Sequence, residues 1–228
     1  MGYTTQDNAT KKYNAIGGCF ASVGTNDGSF TLGSVTATGF DYMSDFLYVM
    51  NPDDSSADAT LIYLGASDAS AFGMTAGWYD AVSLEPYNNV EWSLGTGFMT
   101  DFNGGNAVLN YAGQVYDQAF SLDCSQSRYA IVANGLPRKI TLGEVSATGY
   151  DYMSDFVYLM NPEDSSADAT LIYLSADEAS AFGMTAGWYD AVSLESYANY
   201  ELNPGDGFMT DFNSGAAVLN FPKAITAE

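Results

Sequence analysis

Short runs of Val, Ile, Leu, Tyr, Phe and Met recur along the chain, broken by clusters of Gly, Asn, Asp, Ser and Pro. That run length and punctuation predict strands rather than helices. DFLYVMN (45–51) and ATLIYL (59–64) are apolar at both alternating sets of positions, as in strands buried on both faces. GFMTDF (97–102) and AVLNYA (107–112) alternate apolar with polar residues, as in strands with one wet face. Between the first two runs, Asn51, Pro52, Asp53, Asp54, Ser55 and Ser56 predict a turn, because Pro fixes φ and the Asp and Ser side chains bond to nearby backbone. SDASAFG (67–73) predicts one short helical turn.

The pattern is written twice. Thr31 to Asn110 matches Thr141 to Asn220 without a gap at roughly three-quarters identity, the mark of a duplicated unit. NPDDSSADATLIYL at 51–64 thus becomes NPEDSSADATLIYL at 161–174. Upstream the copies diverge, KKYNAIGGCFASVGTNDGSFTLG facing the shorter SRYAIVANGLPRKITLG, and a strand is expected near Tyr13 and near Tyr129. The expectation is an all-β chain of two tandem near-identical domains, 1–117 and 118–228, each with about eight strands. Turns at that spacing fit a β-sandwich or a barrel-like closure equally well. Trp78 and Trp188, each in Gly-Trp-Tyr, are expected as one large core anchor per unit.

Composition narrows the partners. Lys and Arg number 6 against 28 acidic residues with no His, a net charge of −22. Nucleic acid is disfavoured, since phosphate binding needs clustered bases. The bases are Lys11, Lys12, Arg128, Arg138, Lys139 and Lys223, all outside the two matching blocks. No apolar segment reaches the ~18 residues that a helical membrane span needs, and MGYTTQDNAT has no signal-peptide core. Cys19 and Cys124 have neither a second Cys nor a His nearby, which argues against zinc. They are either bonded to each other in an oxidising compartment or two unpaired buried thiols.

The succession SDFLYVMNP, acidic turn, LIYL, GWYD, LGTGFMT or PGDGFMT and AVLNYAG resembles a β-rich module found in tandem in secreted and surface proteins of environmental bacteria. Pro204, Gly205, Gly207 and Phe208 keep the Pro-Gly-x-Gly-aromatic turn of that pattern, whereas the first copy has Leu94 in place of Pro. The resemblance implies a secreted or cell-surface, repetitive structural or adhesive role, and it brings no catalytic residues.

Three chemistries have residues to point at. The acidic turns offer oxygen ligands for calcium, Asp53, Asp54 and Asp58 in one copy and Glu163, Asp164 and Asp168 in the other. Their spacing is not that of the Asp-x-Asp-x-Asp-Gly loop, and a solvated turn explains them without a metal. No other cofactor is expected. Asp41 and Asp45, like Asp151 and Asp155, would share a face if that stretch were extended, the arrangement of a glycosidase pair. In a chain this acidic such pairs also arise by composition. Without His there is no base for a Ser or Cys nucleophile, and the Gly-x-Gly motif precedes a strand, unlike a phosphate loop. An enzyme is not expected.

FPKAIT (221–226) echoes LPRKIT (136–141), so the end of the chain resembles the start of a unit. This suggests that one copy packs on the next as the first unit packs on the second, a heterologous contact that makes filaments. Tyr13, Phe221, Lys223 and Ile225 are the expected contact residues, with basic ends facing acidic bodies. The function expected is an extracellular structural protein, a self-assembling filament or surface-layer subunit whose partner is itself. The alternative is a carbohydrate-binding or adhesin pair, which requires solvent-exposed Trp78, Trp92 and Trp188 for a polysaccharide partner.

Overall fold

The computed structural model describes residues 1–8, 12–23 and 28–224. It is all-β, with six small sheets and two short helices among the described residues. The first repeat contains β1 (Gly2–Asp7), β2 (Ala15–Gly17), β3 (Phe30–Thr31), β4 (Val35–Thr38), β5 (Asp45–Met50) and β6 (Ala57–Leu64). Helix α1 (Ala66–Ala71) follows, then β7 (Gly77–Asp80), β8 (Glu91–Trp92), β9 (Gly97–Phe102) and β10 (Val108–Gly113). The second repeat retraces this order with β11 (Phe120–Asp123), β12 (Tyr129–Ala133), β13 (Ile140–Thr141), β14 (Ser146–Thr148), β15 (Asp155–Met160) and β16 (Ala167–Leu174). After α2 (Ala176–Ala181) come β17 (Gly187–Asp190), β18 (Glu201–Leu202), β19 (Gly207–Phe212) and β20 (Val218–Phe221).

Each repeat builds the same three sheets, in the orders β2-β9-β5-β6-β7, β1-β10-β4 and β3-β8 and their counterparts. The double apolar alternation of LIYL follows from this layering. Leu61 and the half-buried Tyr63 face the main core with Trp78, Phe98 and Leu109, while Ile62 and Leu64 face a smaller cluster with Ala69 and Tyr79. Helix α1 supplies Ala69 to that second face, as α2 supplies Ala179. Trp78 and Trp188 are fully buried, and their indole N–H groups donate to the carbonyls of Val35 and Val145 at 2.7 and 2.8 Å.

Asp41 and Asp45 do not form an extended pair. Residues 42–44 turn, and Asp45, fully buried, accepts the backbone N–H groups of Asp41 at 2.8 Å and Gly104 at 2.6 Å. Asp155 does the same with Asp151 and Ser214 at 2.9 and 2.7 Å. Backbone N–H groups take the place of water around these buried side chains, and each acid ties a turn to the loop before the last strand of its repeat, β10 or β20. Replacing Asp45 with Ala leaves two donors unpaired and is expected to cost about 3 kcal/mol, read as a lowered urea midpoint.

The two halves meet by exchange of equivalent contacts. Tyr13 N–H donates to the Pro162 carbonyl, and its counterpart Tyr129 N–H donates to Pro52. Gly17 N–H donates to Gly205, and Ala133 N–H donates to Gly95. The bridge between Ile16 and Asp206 is matched by one between Val132 and Thr96. At the centre β2 lies against β12, so closely that a Cβ on Gly17 would stand 2.6 Å from that of Ala133. A contact in which i meets j and j meets i is isologous and closes on itself. The internal packing is therefore a pseudo-two-fold rather than a head-to-tail step.

The ends are also tied inward. Phe221 is buried in the core of the second repeat, stacked on Phe120 with centroids 4.7 Å apart. Leu136, its partner in the sequence echo, lies in the same core. The Lys223 carbonyl accepts from the Arg138 guanidinium, and Ile225 lies outside the described residues. Lys12, Arg128, Arg138 and Lys139 pair with Asp101, Asp211, Glu144 and Glu201 of the same chain. Basic ends free to face the next molecule are thus not what the fold presents at these four positions.

Candidate functional site

The pseudo-two-fold gives the repeated acidic turns a common location. Each turn is anchored at its Pro carbonyl to the opposite half, so Ser55 and Ser165 line one cleft on the axis. Its volume is about 370 Å³, and it is otherwise lined by Met50, Met99, Met160, Met209, Tyr13, Tyr48 and Ala57. The methionines form two pairs, 50 with 160 and 99 with 209, one member from each repeat. Tyr13, offered above as a contact for a second copy, is a wall of this cleft. Lys12 lies over the Tyr13 ring at 4.9 Å, and Arg128 over Tyr129 at 4.8 Å.

The carboxylates of the two acidic turns are engaged locally. Asn51 Oδ1 accepts from Asp53 N–H, and Asp54 Oδ1 accepts from Ser56 N–H, both at 2.8 Å. Asn161 and Asp164 repeat this with Glu163 and Ser166. The Ser56 and Ser166 donors, side chain before backbone, hold the Asp54 and Asp164 carboxyls below the usual carboxylate range. Asp58 accepts from the Asn51 side chain at a long 3.5 Å. Among the described residues no group of three or more Asp, Glu, Cys or His side chains converges as a metal site would require, so the calcium candidates Asp53, Asp54, Asp58, Glu163, Asp164 and Asp168 are not gathered around one point.

Comparison with protein-family models, curated proteins and solved structures gave no match.

A second feature occurs once in each half. Met43, Phe72, Val82 and Leu84 are exposed at the margin of the first repeat, and Met153, Phe182, Val192 and Leu194 at that of the second. Val82 is 90% and Val192 91% exposed, so this is no ragged edge of a core but the same apolar surface presented twice. Asp80 organises the turn beneath it, its Oδ1 accepting from Val82 and Ser83 N–H groups, which lowers its pKa. Within that turn Leu84 sits at φ 57° and Leu194 at φ 56°, the left-handed region that costs a branched side chain about 1–2 kcal/mol. The strain holds Leu84 at a depression of about 330 Å³ with Tyr42, Met43, Phe46 and Phe72.

The tryptophans do not supply a sugar platform, since Trp78 and Trp188 have no exposed surface. Trp92 is half-buried, and its counterpart Leu202 is in the core. Cys19 and Cys124 are free and buried, and burial raises both thiols to about 12. A thiol reagent is expected to find neither in the native protein and both after denaturation; modification of the folded chain would contradict this placement.

Proposed function

We propose that the protein is a non-catalytic, secreted or cell-surface structural subunit that assembles with copies of itself through its two apolar margins. Each repeat serves as a β-sandwich module, and the central isologous joint fixes two modules into one bivalent block. The observation that carries the reading is the duplicated exposed patch around Val82 and Val192, with its strained Leu84 and Leu194. Contiguous exposed apolar surface marks association sites, and backbone strain is retained where a side chain must be held for use. One molecule with two copies of a self-associating patch takes a neighbour at each margin, so growth stays open unless the geometry closes a ring.

The resemblance to tandem modules of secreted and surface proteins points the same way. Like-charged blocks repel, so a net charge of −22 opposes association until salt shortens the screening length to about 8 Å near physiological ionic strength. Sedimentation velocity across a salt series, with electron microscopy of the same samples, tests the reading. Linear oligomers that lengthen with salt are expected; a monomer at every salt and protein concentration would overturn it.

A further inference from the structure

The cleft on the pseudo-two-fold axis is remote in role from the margins and has the build of a ligand site. We propose that it binds a small organic cation, its apolar or aromatic body on the methionine floor and its positive head group toward the two acidic turns.

Size and chemistry select this class. A volume of about 370 Å³ falls at the lower end of small-molecule sites, about 300–1,000 Å³. It greatly exceeds the space of one metal ion held by thioethers. Four methionines make a soft, adaptable floor that accepts flat or irregular apolar shapes. Tyr13 and Tyr48 add aromatic surface to the walls, with Lys12 already over one face of Tyr13, as Arg128 is over Tyr129 outside the lining. Those two bases are themselves paired with Asp101 and Asp211.

The turns that bring Ser55 and Ser165 to the cleft also carry Asp53, Asp54, Glu163 and Asp164, all exposed, and the matching blocks that contribute them contain no Lys or Arg. Lys12 and Arg128, the bases beside Tyr13 and Tyr129, are each already paired with a carboxylate, so an anion would be disfavoured by the acidic turns and a neutral ligand would gain nothing from them. The Ser56 and Ser166 donors hold the Asp54 and Asp164 carboxyls below the ordinary carboxylate range, so these two stay charged in mildly acidic solution. Neither repeat alone makes the site: Met50 and Met99 come from one, Met160 and Met209 from the other.

The eight methionines after Met1 fall into four pairs, two at the cleft and two, 43 with 153 and 74 with 184, away from it. Methyl-labelled methionine NMR of the full chain therefore reports the site directly. Titration with benzyltrimethylammonium at low salt is expected to shift Met50, Met99, Met160 and Met209 saturably and to leave the other four in place. Neutral benzyl alcohol is expected to bind about 10-fold more weakly. A variant carrying D53N, D54N, E163Q and D164N, which keeps the turn acceptors, is expected to lose that preference without losing benzyl alcohol binding. Absence of saturable shifts, shifts spread over all eight methyls, or equal affinity for the two probes would overturn the proposal. So would stoichiometric uptake of silver(I) with no response to the organic cation, which would make the floor a soft-metal site.

Discussion

Trp78→Ala is expected to destabilise the protein by about 3–5 kcal/mol, a fall of roughly 10 °C in melting temperature for a chain of this size. The ring is fully buried and packs against Phe40 and Tyr63 at 5.5 and 5.1 Å between centroids. Its removal leaves a cavity and also strands the Val35 carbonyl that the indole N–H had satisfied. Trp78→Phe keeps much of the buried area and is expected to cost about half as much. Trp188→Ala should match Trp78→Ala, because Tyr150, Tyr173 and the Val145 carbonyl reproduce the site. Urea unfolding followed by circular dichroism decides it. A loss below about 1 kcal/mol would mean that these rings do not anchor the cores.

The second large effect concerns assembly and is one of kind. Val82→Asp places a charge at one margin, next to the Ala81 that lines its depression and at a residue too exposed to matter for folding. If both margins bind copies of the molecule, this variant has one working end, and its association should stop at dimers. Val192→Asp should behave identically, and the double variant should stay monomeric at salt concentrations where the parent forms long species. Sedimentation separates the three outcomes. Undiminished polymerisation of the double variant would show that the margins are not the contacts, whatever the parent does.

Much of the fold was legible, for local reasons. The alternation in LIYL gave two buried faces, and the structure provides two clusters, one on each side of β6. The turn at 51–56 was readable because Pro, Asp and Ser act on their own neighbourhood, as the Asn51 and Asp54 acceptors show. The short helix was readable from Ala and Ser followed by Gly73, which takes φ 70° where the chain leaves α1.

What was not legible depends on which surfaces meet. Nothing in the string places Tyr13 against Pro162 and Tyr129 against Pro52; the pairing is visible only when both contacts are seen together. The echo between FPKAIT and LPRKIT suggested succession, yet Phe221 and Ala224 of the one and Leu136 and Ile140 of the other lie in one core, because similar sequence there reflects similar packing. The conditional pairing of Asp41 with Asp45 does not apply, because period-two spacing holds only for extended backbone and the chain turns just before Asp45. The cleft left no signal in the sequence, since the methionine pairs away from it, 43 with 153 and 74 with 184, repeat as faithfully as those that line it. The apolar Ala81, Val82 and Leu84 between Asp80 and Glu85 were a signal, since a turn on those acids alone needs no such residues.

The exchange of contacts across the axis has a consequence for what the duplication of the unit achieves. Each repeat carries both sides of the joint, the donors at Tyr129 and Ala133 and the acceptors at Pro162 and Gly205 in the second. A freestanding single unit would therefore hold all it needs to pair with its own twin. Joining two such units in one polypeptide turns a concentration-dependent encounter into an intramolecular one, at an effective concentration in the millimolar range. It also lifts the obligation that twins be identical. Gly18 and Asn134 now differ at matching positions, and Asn134 alone uses its side chain to gather the carbonyls of Arg138, Leu202 and Asn203. Fusion, in this protein, is what permits the two faces of a formerly symmetric pair to specialise.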